Sequence, residues 1–409
     1  MTKVLLWHWG RHGAGAKFAY ELAQQLQCVL SPKILISAAH GSDLSVLAET
    51  MGDTIRVANV ATFGGNKNTW RGKLAALKGF VGLPLLAYRF RRMIAENRID
   101  VALCAFQSIW DVAALPTLAR GSTRFVLILH DAFFHPGDDY PLRQRILCRE
   151  IQQADGIVVL SEHVRQQAIE HFGFPADRIW KMHHGVFTFS NKSIQPAVHP
   201  RGNRPINLLF FGKILAYKGL DLLLRAHKLL LQQGYSVKLV VAGSGKVQPY
   251  AELLRELGDS VELRNYWIAE QEIATLFTAC DIAVLPYIEA SQSGVAASAY
   301  GAGRPVVATP VGGLVEQVIQ GTTGVLASDV SVEALANAIA ALINDAILFE
   351  TCARGALQYA MNELSWRNSA ECIAGVLSTI MAAPRRKEHR FALDRSHISA
   401  QPTKQRTPL

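Results

Sequence analysis

Short apolar runs alternate with stretches whose apolar residues recur every three or four positions, from the start of the chain to about position 380. Apolar runs of four to six residues read as strands buried on both faces, and the 3.6-residue periodicity between them reads as helix. That alternation marks βαβ units and parallel sheets. In the first half it predicts strands over 4–9, 34–37, 101–105, 125–130 and 156–160. Segment 190–205 carries three prolines and no periodicity, and reads as a linker. The pattern restarts with a strand at 206–211, a helix over 220–233, a strand at 237–242, a helix near 250–257 and a strand at 261–263. A helix over 270–279, a strand at 282–286, a helix after Ser293 and a strand at 305–308 follow. A last helix around 365–381 is placed to cross back and brace the first half. The fold class is therefore α/β, with two doubly wound halves: 1–189, a linker 190–205, 206–364, a crossover helix 365–383 and a tail 384–409.

Composition narrows this picture. Half of the 409 residues are hydrophobic and 18% are charged, enough for a sizeable core and too apolar for a disordered chain. No apolar run approaches the ~18–20 residues that cross a bilayer. The start, MTKVLLWHWGRHG, breaks into glycines after a short apolar patch, so it reads as the first strand of a cytoplasmic protein rather than a secretion signal. Six cysteines without a C-x-x-C pair indicate neither a disulfide framework nor a zinc site. From Pro384 onward, seven Lys/Arg against two acids and no hydrophobic face read as a disordered tail.

The chemistry concentrates at strand ends of the second half. In NLLFFGKILAYKGLDLLLRA a strand meets Gly212, and Lys213 and Lys218 flank the turn before a helix. Two ammonium groups beside a helix N-terminus suit a diphosphate, although solvated loop lysines are the plainer alternative. VKLVVAGSG ends a second buried strand in Gly243, Ser244 and Gly245. Segment 281–327 adds a strand, a turn through Ser291 to Gly294, a small-residue helix and another strand ending in Gly-Gly. Three donor-rich turns at successive strand ends point to a nucleotide cleft.

On these pieces the chain resembles the family-4 glycosyltransferases of the GT-B fold. The resemblance rests on FFGKILAYKG, VVAGSG, DIAVLPY, GRPVVATPVGG with Glu316 beyond it, and GTTGVLA, within 1–381. It implies two facing Rossmann-like domains and a nucleotide-diphosphate sugar held mainly by the C-terminal one. It also implies retention of anomeric configuration and no cofactor or essential metal. Lys213, where arginine is more usual, and Lys218 match the family's diphosphate-binding pair. The family's Glu-x7-Glu motif is broken: its second acid falls at Ser298 and its first at Ala290, with Glu289 one residue early. Donor contacts are then expected from Ser293, Gly294, Val295 and backbone N–H groups, with Ser298 as a ribose partner. EASQSG resembles a sub-branch associated with bacterial surface polysaccharides.

In the first half, Gly10, Gly13 and Gly15 follow the first strand as G-x-x-G-x-G, which is not the dinucleotide fingerprint. By resemblance the Gly13–Gly15 loop faces the donor phosphate and acceptor; a plain strand-to-helix turn is the alternative. His130, at a strand end in HDAFFHPGDD, matches the residue that hydrogen-bonds the donor sugar, with Asp131 as its orienter. A structural histidine capping the strand competes with that role. A metal held by His130, Asp131 and His135 is disfavoured, and Asp138 and Asp139 read as solvated surface. Ser161 and Glu162 match a recurring acceptor-domain feature, and KMHHGV resembles the turn before the linker.

Segment 66–98 holds eight Lys/Arg and one Glu, with Trp70, Leu74, Leu77, Phe80 and Val81 at helical spacing. An anionic membrane surface and an ordinary core stripe both fit that pattern, whereas nothing resembles a nucleic-acid motif. The leading function is a retaining, metal-independent hexosyltransferase of envelope or exopolysaccharide assembly, peripheral on the inner membrane face. Its acceptor would be a saccharide, lipid-linked if the membrane reading holds. A sugar-nucleotide epimerase and a degenerate nucleotide-sugar-binding protein are the alternatives.

Overall fold

The structure, a computed structural model, describes residues 2–30, 34–51, 55–62, 79–135, 141–187, 194–200 and 204–386. The stripe residues Trp70, Leu74 and Leu77, the pair Asp138-Asp139 and tail positions 387–409 lie outside them.

Strands β1 (Val4–His8), β2 (Leu35–Ala39), β3 (Arg56–Val60), β4 (Val101–Cys104), β5 (Arg124–Leu129), β6 (Gly156–Val159) and β7 (Ile179–Lys181) form a seven-stranded sheet ordered β3-β2-β1-β4-β5-β6-β7. Strands β8 (Ile206–Phe211), β9 (Val237–Ala242), β10 (Val261–Arg264), β11 (Ile282–Leu285), β12 (Val306–Ala308) and β13 (Gly324–Leu326) form a second, ordered β10-β9-β8-β11-β12-β13. All paired strands are parallel. Helices cover both faces, so the central strands are mostly apolar: in β1, Leu5 and Trp7 enter one core layer while Val4 and Leu6 enter the opposite one. The α/β expectation of two Rossmann-like halves holds.

Strand order reverses between β1 and β4 in the first sheet and between β8 and β11 in the second. Open parallel sheets bind ligands outside the strands' carboxyl ends at such reversals. The Gly10–Gly15 loop leaves β1, and the Gly212 and Pro286–Gly294 loops leave β8 and β11, so both reversals deliver their loops to the site.

The helix Trp366–Ala382, capped by Ser365, lies on the first sheet's outer layer against the helix Ala14–Leu30. Trp366, Ala370, Ile373, Leu377 and Ile380 recur at helical spacing and enter that core. The crossover expectation is met. Two residues of the supposed tail are also fastened: Arg386 donates to the Ala154 carbonyl (2.9 Å) and lies over Phe174, while Arg385 reaches the Gly121 and Leu118 carbonyls. At the point where it was expected to loosen, the chain still caps the sheet end.

Candidate functional site

The second half builds its corner from backbone first. Gly212 (φ +114°) and Gly243 (φ +144°) occupy conformations that side chains avoid. A Cβ at Gly243 would lie 1.9 Å from the Gly212 carbonyl oxygen, so the two turns touch through backbone alone. Ile214 N donates to Ser244 O (3.0 Å), and Gly245 N to Asn265 Oδ1 (3.0 Å), tying the Gly243–Gly245 turn down on both sides. Gly219 (φ +69°) packs so tightly on the loop after β11 that a Cβ would meet the Pro286 carbonyl oxygen at 1.7 Å. Ile288 N completes this weld by donating to Tyr217 O (2.7 Å).

Within that frame Lys218 Nζ donates to Tyr287 Oη (2.9 Å) and stands 4.3 Å from the ring centroid. Tyr287 Oη lies 3.3 Å from Ser293 Oγ, which accepts from Val295 N (3.2 Å) at the start of the helix Gly294–Gly301. A Cβ on Gly212 would sit 3.8 Å from Lys218 Nζ and 4.0 Å from Val295 Cγ2. Lys218, Gly212, Ser293 and the helix start therefore form one corner, with positive charge beside the amide end of a helix. Lys213, one residue past Gly212, stands exposed at its edge, as do Ser244 and Gly245.

Ser298 does not join it. Its hydroxyl donates to Gly294 O (2.8 Å), one turn back in the same helix, and the residue is buried. The hydroxyl expected to meet the ribose thus has its single proton committed within the helix, which leaves it only lone pairs to offer.

In the first half, Gly13 (φ +108°) has open space where a side chain would project, and its N–H meets Asp43 Oδ2 at 3.0 Å. At Gly15 a Cβ would press on Phe106 and His8 (2.8 and 3.0 Å), so this glycine serves close packing of the loop. His130 is buried, with Nε2 donating to Ala105 O (2.9 Å) and its ring between Phe18 and Phe106. Its Nδ1 has no hydrogen-bond partner, and burial pushes the pKa down to about 4, so the ring is neutral with a bare lone pair. The expected pairing with Asp131 is corrected: the Ala105 carbonyl orients His130, and Asp131 Oδ1 instead faces His135 Nε2 at 3.4 Å.

The two halves meet at this level. Ser161 Oγ donates to Ser291 O (2.6 Å), and Glu316 accepts from Glu162 N (2.6 Å) and Lys181 Nζ (3.0 Å). His184, whose Nδ1 donates to Gly185 O (2.7 Å), turns Nε2 towards Gly294: a Cβ there would lie 3.2 Å away. Burial again lowers the pKa to about 4. His135 Nδ1 reaches Glu289 Oε2 (3.4 Å), and the ring stacks on Tyr217 with centroids 4.5 Å apart. Tyr287, Tyr217, His184 and the clasping role of His135 were not anticipated. Each lies in or beside a quoted segment, the tyrosines at the glycine-lysine turn and a strand end, His184 in KMHHGV and His135 in HDAFFHPGDD, but none of these segments showed its spatial partner.

Residues 205–345 match the family described as "Glycosyl transferases group 1", and residues 38–188 match "Glycosyltransferase Family 4". The chain belongs to the family-4 glycosyltransferases. Similar members include a GDP-mannose-dependent alpha-(1-6)-phosphatidylinositol monomannoside mannosyltransferase of Mycolicibacterium smegmatis, 25% identical over 72% of this chain and 80% of that protein. A D-inositol 3-phosphate glycosyltransferase of Pseudarthrobacter chlorophenolicus is 31% identical over 53% of this chain and 54% of its own. For an uncharacterized glycosyltransferase of Methanocaldococcus jannaschii and the Corynebacterium aurimucosum D-inositol 3-phosphate glycosyltransferase, the match spans 60% and 62% of the relative's length. Among solved structures, Anabaena HepE in complex with UDP-glucose superimposes with a TM-score of 0.71 at 20% identity, over 93% of this family-4 chain and 100% of HepE. Sucrose-phosphate synthase of Thermosynechococcus elongatus gives 0.70 at 18% identity, over 94% and 100%. Both share its fold.

Proposed function

We propose that the chain transfers a hexose from a nucleotide-diphosphate sugar to a saccharide acceptor, with retention and without a metal ion, in envelope or exopolysaccharide assembly. The observation that carries this is the corner of Lys218, Tyr287, Ser293 and the Gly294 helix start, with Gly212 leaving room for a phosphate against backbone. The bond from the anomeric carbon to the diphosphate breaks as the acceptor oxygen bonds to the same face of the ring. The acceptor proton passes to a departing phosphate oxygen. Lys218, with Lys213 at the corner's edge, and the helix amides meet the growing charge of the leaving group. The buried, neutral His130 offers an acceptor or close contact to the sugar through Nδ1 rather than a charge. HepE, a neighbour in fold, carries UDP-glucose, which supports the donor class.

A lipid-linked acceptor and an inner-membrane position are part of the proposal. The helix Leu83–Asn97 buries Leu86, Phe90 and Met93, yet Leu85, Tyr88, Arg89, Arg91 and Arg92 are exposed, with Phe80 and Val81 just before it. Apolar and basic groups side by side suit an anionic lipid surface, at roughly 1 kcal/mol per basic residue near it. No single helix among the described residues is long and apolar enough to cross a membrane. The phosphatidylinositol mannoside enzyme among the relatives supports a lipid-borne acceptor.

The test is release of nucleoside diphosphate from UDP-, GDP- and ADP-sugars in EDTA, with the product anomer read by NMR. Release in chelator with a retained anomer is expected; an inverted product or a strict metal requirement overturns the mechanism. Flotation with anionic vesicles at low salt tests the membrane part. The missing Glu at position 298 favours one alternative, a nucleotide-sugar binder without turnover: binding to the full panel with no release would select it.

A further inference from the structure

His135 belongs to the first half by sequence and bridges to the second by contact. Its Nε2 faces Asp131 Oδ1 and Ser291 Oγ, both at 3.4 Å, and its Nδ1 faces Glu289 Oε2 at 3.4 Å. A neutral imidazole donates from only one nitrogen. Carboxylate oxygens opposite both nitrogens call for the doubly protonated ring. Its face lies on Tyr217, whose neighbour Lys218 binds Tyr287 in the phosphate corner.

Glu289 lies five residues before Gly294, in the loop that carries Ser293. Through His135 and Tyr217 it is joined to Lys218 of the corner, and an uncompensated carboxylate there would act against an incoming diphosphate. We propose that His135 is a positioning residue of the donor site: as an imidazolium between Asp131 and Glu289 it holds Glu289 in place and offsets part of the pair's negative charge, so that a carboxylate can face the donor sugar beside an anionic diphosphate. This rests on the nucleotide-sugar reading above and deepens it.

The groups packed around the ring agree with this role. Asp131 comes from its own loop, Glu289 and Ser291 from the loop after β11, Tyr217 with Lys218 beyond it from the loop after β8, and His163 from the helix Glu162–Phe172. Burial opposes the charge, yet Asp131 and then Glu289 hold the pKa above the ordinary histidine range. The same contact holds the Asp131 carboxyl low against its own burial. Raising the pH through the His135 pKa therefore exposes Glu289 and weakens donor binding.

The experiment measures donor KM and kcat for the full chain, across pH 6–9, in wild type, His135→Gln and His135→Gln/Glu289→Gln. Nucleoside diphosphate affinity is followed separately by thermal shift. The single variant is expected to raise donor KM about 5–10-fold at pH 6.5 and to abolish its rise with pH. Adding Glu289→Gln is expected to return KM to within about twofold of wild type while kcat stays low. A purely structural His135 would not be rescued by removing the charge it faces. Wild-type KM and pH dependence in His135→Gln, or no rescue in the double variant, overturns the proposal. Absence of both turnover and nucleotide binding in wild type would instead sink the donor-site reading itself.

Discussion

At the scale of single residues, two side chains expected in the same pocket part company. Lys218 meets Tyr287 and stands beside the helix start, so Lys218→Ala removes the charge that faces a leaving diphosphate. Turnover is expected to fall about 10²–10³-fold, the scale on which one preorganised electrostatic contact acts, with the thermal midpoint little changed. Steady-state rates at saturating donor decide this, and undiminished turnover removes Lys218 from the mechanism. Ser298 is the counterpart. Its hydroxyl is spent on Gly294 O, so Ser298→Ala is expected to leave donor KM within about twofold, whereas a true ribose contact would cost nearer tenfold. Sequence alone separated neither case, because a hydroxyl on the correct helix reads the same whether it faces ligand or its own carbonyl.

At the scale of elements, the corner is a weld between two loops, and Gly219 is its tightest point. Any Cβ there meets the Pro286 carbonyl, and φ is +69° besides, so Gly219→Ala must displace either the Lys218 turn or the loop carrying Tyr287. A loss of about 1–3 kcal/mol is expected from the strain, with nucleotide affinity falling further than stability. Denaturant melts beside a nucleotide titration test that order; equal, small changes in both would mean the loops are not coupled. The strands that carry these loops were legible because β8, β9 and β11 are buried and apolar. The edge strand β3, RVANV, escaped since it is only partly buried and carries polar residues, and β7 and β13 are only three residues long. The glycine turns were visible as motifs, but the contact between Gly243 and Gly212 was not, since only the parallel pairing of β8 with β9 brings them together. His135 was hidden for a related reason: its partners Tyr217 and Glu289 stand on the other half of the molecule.

At the scale of the whole molecule, the junction between halves is where buried histidines accumulate, and they set its tolerance of acid. His184 faces the Gly294 helix start, and His130 lies behind the Gly13–Gly15 loop among Phe18 and Phe106. Burial lowers both pKa values to about 4 from an unfolded value near 6.5. The unfolded chain therefore binds more protons than the folded one between those limits. Stability contributed by these neutral rings is complete above about pH 6.5 and is lost progressively towards pH 4, by up to about 3 kcal/mol for each. His135 acts in the opposite sense: its raised pKa stabilises the closed junction at lower pH and lets go as pH rises through that value. The two effects pull in opposite directions as the pH changes. Asn retains a donor for the Gly185 carbonyl but cannot bind the proton, so His184→Asn should flatten the fall in melting temperature between pH 6.5 and 4.5. An unchanged slope in that variant would mean that protonation of His184 is not what loosens the junction in acid.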